Sequence, residues 1–130
     1  MATTPQFAST ARCAVAQVSA ANTNRDGTGT IATIFTAGSS GSRLERIRVQ
    51  AAGTTTAGVV RLFIHDGSNA RLFAEALVSA ITPSTTVQAW SVDIDLSFNG
   101  GAVLLPNGYS LRASTHNAET FNIFAIGGDF

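Results

Sequence analysis

The sequence has no lysine, one cysteine, two histidines, one tryptophan and one tyrosine. A single cysteine, Cys13, excludes an intrachain disulfide. Its neighbours Ala14 and Val15 predict a small buried hydrophobe rather than a nucleophile. Acidic and basic residues number eight each, so the formal net charge is zero, and no run of one sign occurs. That balance argues against nucleic acid as a partner, because phosphate binding requires a concentrated basic face. No stretch approaches the ~18 consecutive apolar residues of a membrane span, which argues against a membrane partner. The start, Met-Ala-Thr-Thr-Pro-Gln-Phe, has neither a basic n-region nor an apolar h-region, predicting a soluble chain made in a cytoplasm. No Cys/His cluster suggests zinc and no glycine-rich loop opens a helix, so no cofactor is expected.

What is present suits a single folded core. Hydrophobic residues make up 45% of the chain and charged residues 12%, too apolar a balance for a disordered polymer. All eight basic residues are arginine: Arg12, Arg25, Arg43, Arg46, Arg48, Arg61, Arg71 and Arg112. Arginine-only usage follows from a GC-rich genome, or from selection for interfaces, where a planar guanidinium is desolvated at lower cost than an ammonium.

Turn signals recur at short intervals, at Asp26-Gly27-Thr28-Gly29, Gly38 to Gly41, Gly53 to Gly58, Asp66 to Asn69, Thr82-Pro83-Ser84, Asn99 to Gly101, Pro106-Asn107-Gly108 and His116-Asn117. Between them lie segments of strand length rich in Val, Ile, Thr and Phe. Period-two alternation is clearest over 86–96, where Trp90, Val92, Ile94 and Leu96 oppose Ser91, Asp93 and Asp95. Segments 57–65 and 120–126 carry apolar residues on both faces and predict strands covered on both sides. Segment 109–115 alternates Tyr109, Leu111 and Ala113 against Ser110, Arg112 and Ser114. In 42–51 the alternation slips by one residue between Leu44 and Ile47, which predicts a β-bulge near Glu45 or Arg46. Segments 13–20 and 30–36 complete the set, and 70–80 reads as a strand although its residues also suit a helix.

The predicted architecture is all-β: an antiparallel, jelly-roll-like β-sandwich of about eight strands over residues 13–130. Residues 1–12 are small, polar and interrupted by Pro5, and predict an extended N-terminal arm.

Catalytic constellations are sparse. His65 and His116 sit beside turns, and no Gly-x-Ser-x-Gly elbow anchors a triad. Asp93 and Asp95 share a strand face, which could serve calcium or glycoside hydrolysis but reads more simply as a solvated face opposite arginines. Asp26 with Thr28 and Thr30 offers oxygens at alternate positions, but only one carboxylate. Trp90 and Tyr109 alternate inward, which weighs against a sugar-stacking platform. The residues therefore predict a non-enzymatic protein.

Three stretches carry a resemblance: Ser-Arg-Leu-Glu-Arg-Ile-Arg-Val at 42–49, Gly-Thr-Thr-Thr-Ala-Gly-Val-Val-Arg-Leu-Phe-Ile-His-Asp-Gly at 53–67 and Leu-Pro-Asn-Gly-Tyr-Ser-Leu-Arg-Ala-Ser at 105–114. With them the chain resembles small β-sandwich virion proteins of tailed bacteriophages, of the capsid decoration, or cement, type. The resemblance implies a structural protein on the capsid exterior, made in the host cytoplasm, forming a homotrimer and gripping the major capsid protein. A tail fibre or spike module binding a host glycan is the alternative. Candidate partner-facing residues are Pro5, Gln6, Phe7 and Arg12 of the arm, the cluster Arg43, Arg46 and Arg48, and the terminal Phe130.

Overall fold

Alternation of apolar and polar residues produces nine strands in the computed structural model, which describes residues 9–96 and 100–130. They are β1 (Thr10–Val18), β2 (Ala32–Thr36), β3 (Ser42–Ala51), β4 (Gly58–His65), β5 (Ala70–Val78), β6 (Ser91–Asp93), β7 (Val103–Leu105), β8 (Ser110–Thr115) and β9 (Phe121–Asp129). All ladder pairings between them are antiparallel. One sheet has the order β1-β9-β3-β6, with β7 also pairing β3; the other has the order β2-β8-β4-β5. Taking β6 and β7 as two pieces of one interrupted strand along the edge of β3, this is the eight-strand, two-sheet order of a jelly roll.

The turns that connect the strands form where the sequence places glycine. Gly27, Gly29, Gly41, Gly67, Gly100, Gly101 and Gly108 all adopt positive φ. Asp26 and Asp66 precede two of these turns, and each carboxylate accepts backbone N–H bonds from the residues that follow, Thr28 in one case and Ser68 and Asn69 in the other.

Between the sheets lies a core of Phe35, Leu44, Ile47, Val49, Val60, Leu62, Leu111, Phe121 and Ile123, all with almost no exposed surface. Trp90 meets Phe121 edge-to-face, with ring centroids 5.8 Å apart. The slip in 42–51 is a bulge at Glu45: Leu44 pairs Gly127 and Arg46 pairs Ile126, leaving Glu45 without an opposite residue. Leu44, Ile47, Val49 and Ala51 are consequently all buried. Gly127 sits opposite this bulge, where an added Cβ would lie 1.9 Å from the Arg43 carbonyl oxygen. No side chain fits there without parting β3 from β9.

The structure modifies several boundaries. Of the expected strand 86–96 only the middle pairs with β3, Ser91–Asp93 as the ladder with Trp90 O and Ile94 N bonding Ala51 and Ile47 beside it, although Trp90 and Leu96 are buried and Ser91, Asp93 and Asp95 exposed as the alternation requires. Alternation decides which face a residue takes, whereas pairing needs a free edge, and β7 occupies the other end of β3. β7 itself is too short to show a period. β1 begins at Thr10 and pairs residue by residue with β9, so Thr10–Arg12 belong to the sheet. Residues 70–78 form a strand, not a helix.

In the second sheet β4 is covered on both faces, as expected for 57–65. The connection 19–31 crosses its outer side, with the Asn22 N–H donating to Thr115 O (2.8 Å) and the Asn22 carbonyl accepting from Arg61. Phe63, on the face opposite Leu62, is fully buried. Further along, a Cβ on Gly27 would lie 2.3 Å from Ala70 O, so this connection rests directly on the start of β5.

Gly127→Ala is expected to lower stability by about 2–3 kcal/mol in urea unfolding, because its methyl group must displace backbone. Gly53→Ala, with open space around its Cβ, is the control and stays within about 0.5 kcal/mol of the parent.

Candidate functional site

The Glu45 bulge decides what the outer face of the five-stranded sheet displays. Ser42 and Leu44 point into the core, so Arg43 points away from it; after the bulge, Ile47 and Val49 point in and Arg46 and Arg48 point out. All three arginines of the 43–48 cluster therefore share one face. Cross-strand register completes rows on that face: Arg46, Ile126 and Cys13 in one, Arg48, Phe124 and Val15 in the next. Val15 is 56% exposed, Ile126 is exposed, and Leu104, opposite Arg43, is 61% exposed. Cys13 is exposed too, contrary to the sequence reading. The register of β1 turns Arg12, Ala14, Ala16 and Val18 inward, which puts Cys13, Val15 and Gln17 outside.

Two of these arginines are held by carboxylates. Arg48 Nη1 lies 3.1 Å from Asp93 Oδ1 and Nη2 donates to Gln50 Oε1, while Arg43 Nε lies 3.3 Å from Glu45 Oε1. Asp93 thus faces an arginine on the neighbouring strand. Arg46 makes no ion pair among the described residues.

Arg12 lies elsewhere, at the end of the sandwich where β1 meets β2. Its guanidinium stacks on the Phe35 ring (3.9 Å), donates to Thr36 O (2.7 Å) and pairs with Asp129 Oδ1 (3.1 Å). Ser42 Oγ donates to the same carboxylate oxygen and accepts from Gly38 N. The Ser42 hydroxyl, assisted by Arg12, holds the Asp129 carboxyl below its ordinary value. This network ties the two sheets together. Phe130 next to it is about half exposed, with its N–H donating to Gly41 O (3.1 Å). Pro5, Gln6 and Phe7 lie outside the described residues.

The residues considered for chemistry are occupied structurally. His65 Nδ1 accepts from Gly67 N (3.1 Å). His116 Nδ1 lies 3.4 Å from Arg61 Nη2, and because arginine only donates, that imidazole nitrogen is the acceptor. Asp26 Oδ1 accepts from both the N–H and the hydroxyl of Thr28. Trp90 is 8% exposed and Tyr109 packs against the core, so neither offers a ring to a sugar. No group of three or more His, Cys, Asp or Glu residues among those described could hold a metal ion.

The largest feature that sequence reasoning missed is Arg61, which is 1% exposed. Its guanidinium donates to Glu75 Oε2 (3.2 Å) and Asn22 O (3.2 Å), and Arg25 reaches the same Glu75 oxygen at 2.8 Å. The Arg25 hydrogen bond is the main cause of the lowered Glu75 pKa; burial opposes it and the charge of Arg61 adds to it. A signal was present: a lone charge inside Val59-Val60-Arg61-Leu62-Phe63-Ile64, with a glutamate in the next strand.

No protein-family model and no curated protein matches the chain. Among solved structures, the chain is similar to a pentameric capsid protein isolated from metagenomic phage sequences, at 19% identity and a TM-score of 0.44, covering 89% of this chain. The aligned part spans 61% of that protein.

Trp90→Ala is expected to cost about 3–5 kcal/mol in unfolding, the magnitude of a core aromatic. Glu75→Gln leaves Arg61 buried beside a neutral group and is expected to cost about 2 kcal/mol at neutral pH. Because the folded-state pKa of Glu75 is depressed, its contribution is present above the ordinary value of 4.5 and fades as pH falls through the folded value. The gap between parent and Glu75→Gln should therefore close on acidification from about pH 5 to about pH 3, read by denaturant midpoints.

Proposed function

We propose that this chain is a non-enzymatic virion structural protein of a tailed phage, a decoration protein that binds the major capsid protein on the outside of the head as a homotrimer. The observation that carries this reading is the outer face of the five-stranded sheet, where exposed Val15, Leu104 and Ile126 lie among Arg43, Arg46 and Arg48. A row of arginines on β3 flanked by exposed apolar side chains on the neighbouring strands suits a protein-binding surface, since the apolar side chains gain from leaving water and the guanidinium groups tolerate partial desolvation. The motifs at 42–49, 53–67 and 105–114 support the same reading through their resemblance to phage decoration proteins. The strand that displays the arginines is the first of those motifs.

In this reading the sandwich is a rigid plate, and the residues before Thr10 are a second attachment that works separately from the face. Arg12 contributes by holding the end of the sandwich together, and half-exposed Phe130 borders that end.

The decisive measurement is the position and copy number of the protein in purified particles. A copy number close to that of the major capsid protein, on the outside of the head, is the expected result; a handful of copies at the tail tip favours the fibre reading instead. Val15→Asp and Arg46→Glu, which alter exposed positions only, should leave the unfolding midpoint within about 0.5 kcal/mol of the parent while abolishing attachment to undecorated heads. Deletion of residues 2–8 should weaken attachment without unfolding the domain. Unchanged attachment by all three variants would remove both surfaces from consideration.

A further inference from the structure

On the side of the sandwich away from the arginine-bearing face, the 26–29 turn, the 66–71 segment and the middle of β8 line a cleft of about 270 Å³. We propose that this cleft binds a small acidic sugar, a polyhydroxylated ligand that carries one carboxylate. The inference is independent of the virion reading, because it uses the other sheet.

Charge singles the cleft out. Five of the eight arginines lie within ion-pair distance of a carboxylate: Arg12, Arg25, Arg43, Arg48 and Arg61. Of the other three, Arg71 and Arg112 both line this cleft. Arg112 is the more telling. It projects from an interior strand of its sheet and is only partly exposed, opposite the buried Phe63 in the ladder. Its Nε donates to Ser110 Oγ (3.0 Å), which orients the guanidinium, and its terminal amino groups make no hydrogen bond among the described residues. A fork of two parallel N–H donors is the geometry that a carboxylate accepts in bidentate fashion.

The remaining walls suit hydroxyl groups. His65 Nδ1 is taken by Gly67 N, so the neutral ring carries its proton on Nε2 as a donor. Asp26 has one oxygen saturated by Thr28 and the other available to accept. Ser68 adds a hydroxyl that donates or accepts, the Thr28 hydroxyl gives its proton to Asp26 Oδ1, and the apolar lining comes from Ile31 and Ala70. A lipid or an aromatic ligand would find nothing to pack against. A phosphate would meet the Asp26 carboxylate in the same lining. One carboxylate for Arg112, with sugar hydroxyls for Asp26, satisfies both signs of charge.

The walls are also held in place before any ligand arrives. Asn22 is buried, and its amide donates to both Thr28 O and Thr30 O (2.9 Å each) while its carbonyl oxygen accepts from Asn24 N. The facing turn is fixed by Asp66, whose carboxylate accepts from Ser68 N and Asn69 N. A preformed polar cleft of this volume lies at the small end of ligand sites, the scale of a monosaccharide.

Titration of the isotope-labelled full chain with D-glucuronate, D-glucose and inorganic phosphate, followed by amide chemical shifts, tests the proposal. Glucuronate is expected to shift amides of 26–29 and 65–71 with a millimolar Kd, and glucose to bind at least about tenfold more weakly, the loss of a charged hydrogen-bonded pair. Arg112→Gln should abolish binding. Arg71→Gln, at an exposed position on an edge strand, should weaken it several-fold, and it keeps the test valid if Arg112→Gln unfolds. The proposal fails if glucuronate causes no shifts at tens of millimolar, if the shifts map elsewhere, or if glucose binds as tightly. It fails equally if phosphate binds while glucuronate does not, or if folded variants keep the parent affinity.

Discussion

Strand β9 runs between β1 and β3 and pairs with both along its whole length, broken only by the bulge at Glu45. That ladder determines which side chains of three strands enter the core. Without the extra residue, Ile47 and Val49 would fall on the same side as Arg43, and Arg46 and Arg48 would be driven between the sheets. With it, the apolar residues of β3 are buried at both ends and the arginines collect outside. Gly127 makes the bulge possible, since its lack of a side chain lets the Arg43 carbonyl close on β9. The proposed attachment face is a consequence of this one local irregularity.

The second sheet solves a different problem. β4 is apolar on both faces and cannot leave either in water, so the β1–β2 connection is folded over its outer side. The cover is polar, and Arg61 beneath it is satisfied by Glu75, the Asn22 carbonyl and His116. A buried guanidinium adds little stability compared with an apolar side chain of similar size, but removing any of its partners leaves a charge without compensation. The network therefore specifies where the connection lies more than it strengthens the fold. The same folded connection supplies one wall of the cleft beside Arg112.

The two faces of the sandwich thus have different chemistry. One is an open sheet surface with apolar side chains among arginines; the other is covered by a hydrogen-bonded loop that leaves a polar recess. Flat apolar surfaces suit proteins, and recesses lined by oriented donors and acceptors suit small polar ligands.

Much of this was legible in the residues. Period-two alternation identified the sandwich, the one-residue slip placed a bulge near Glu45 or Arg46, and the glycine-bearing turns fell where the strands end. Trp90 was legible as core, because its alternation partners Val92, Ile94 and Leu96 are all apolar. The exposure of Cys13 was not: Arg12 precedes it and apolar Ala14 and Val15 follow, and only its pairing with Ile126 shows which way it points. The commitment of Arg12 to Asp129, 117 residues away in the chain, was equally hidden. Local periodicity reports the two faces of a strand but not which one meets the core, nor which distant strand lies beside it. Those choices are made by pairing register and by the packing of one sheet on the other, interactions between residues that the sequence keeps far apart.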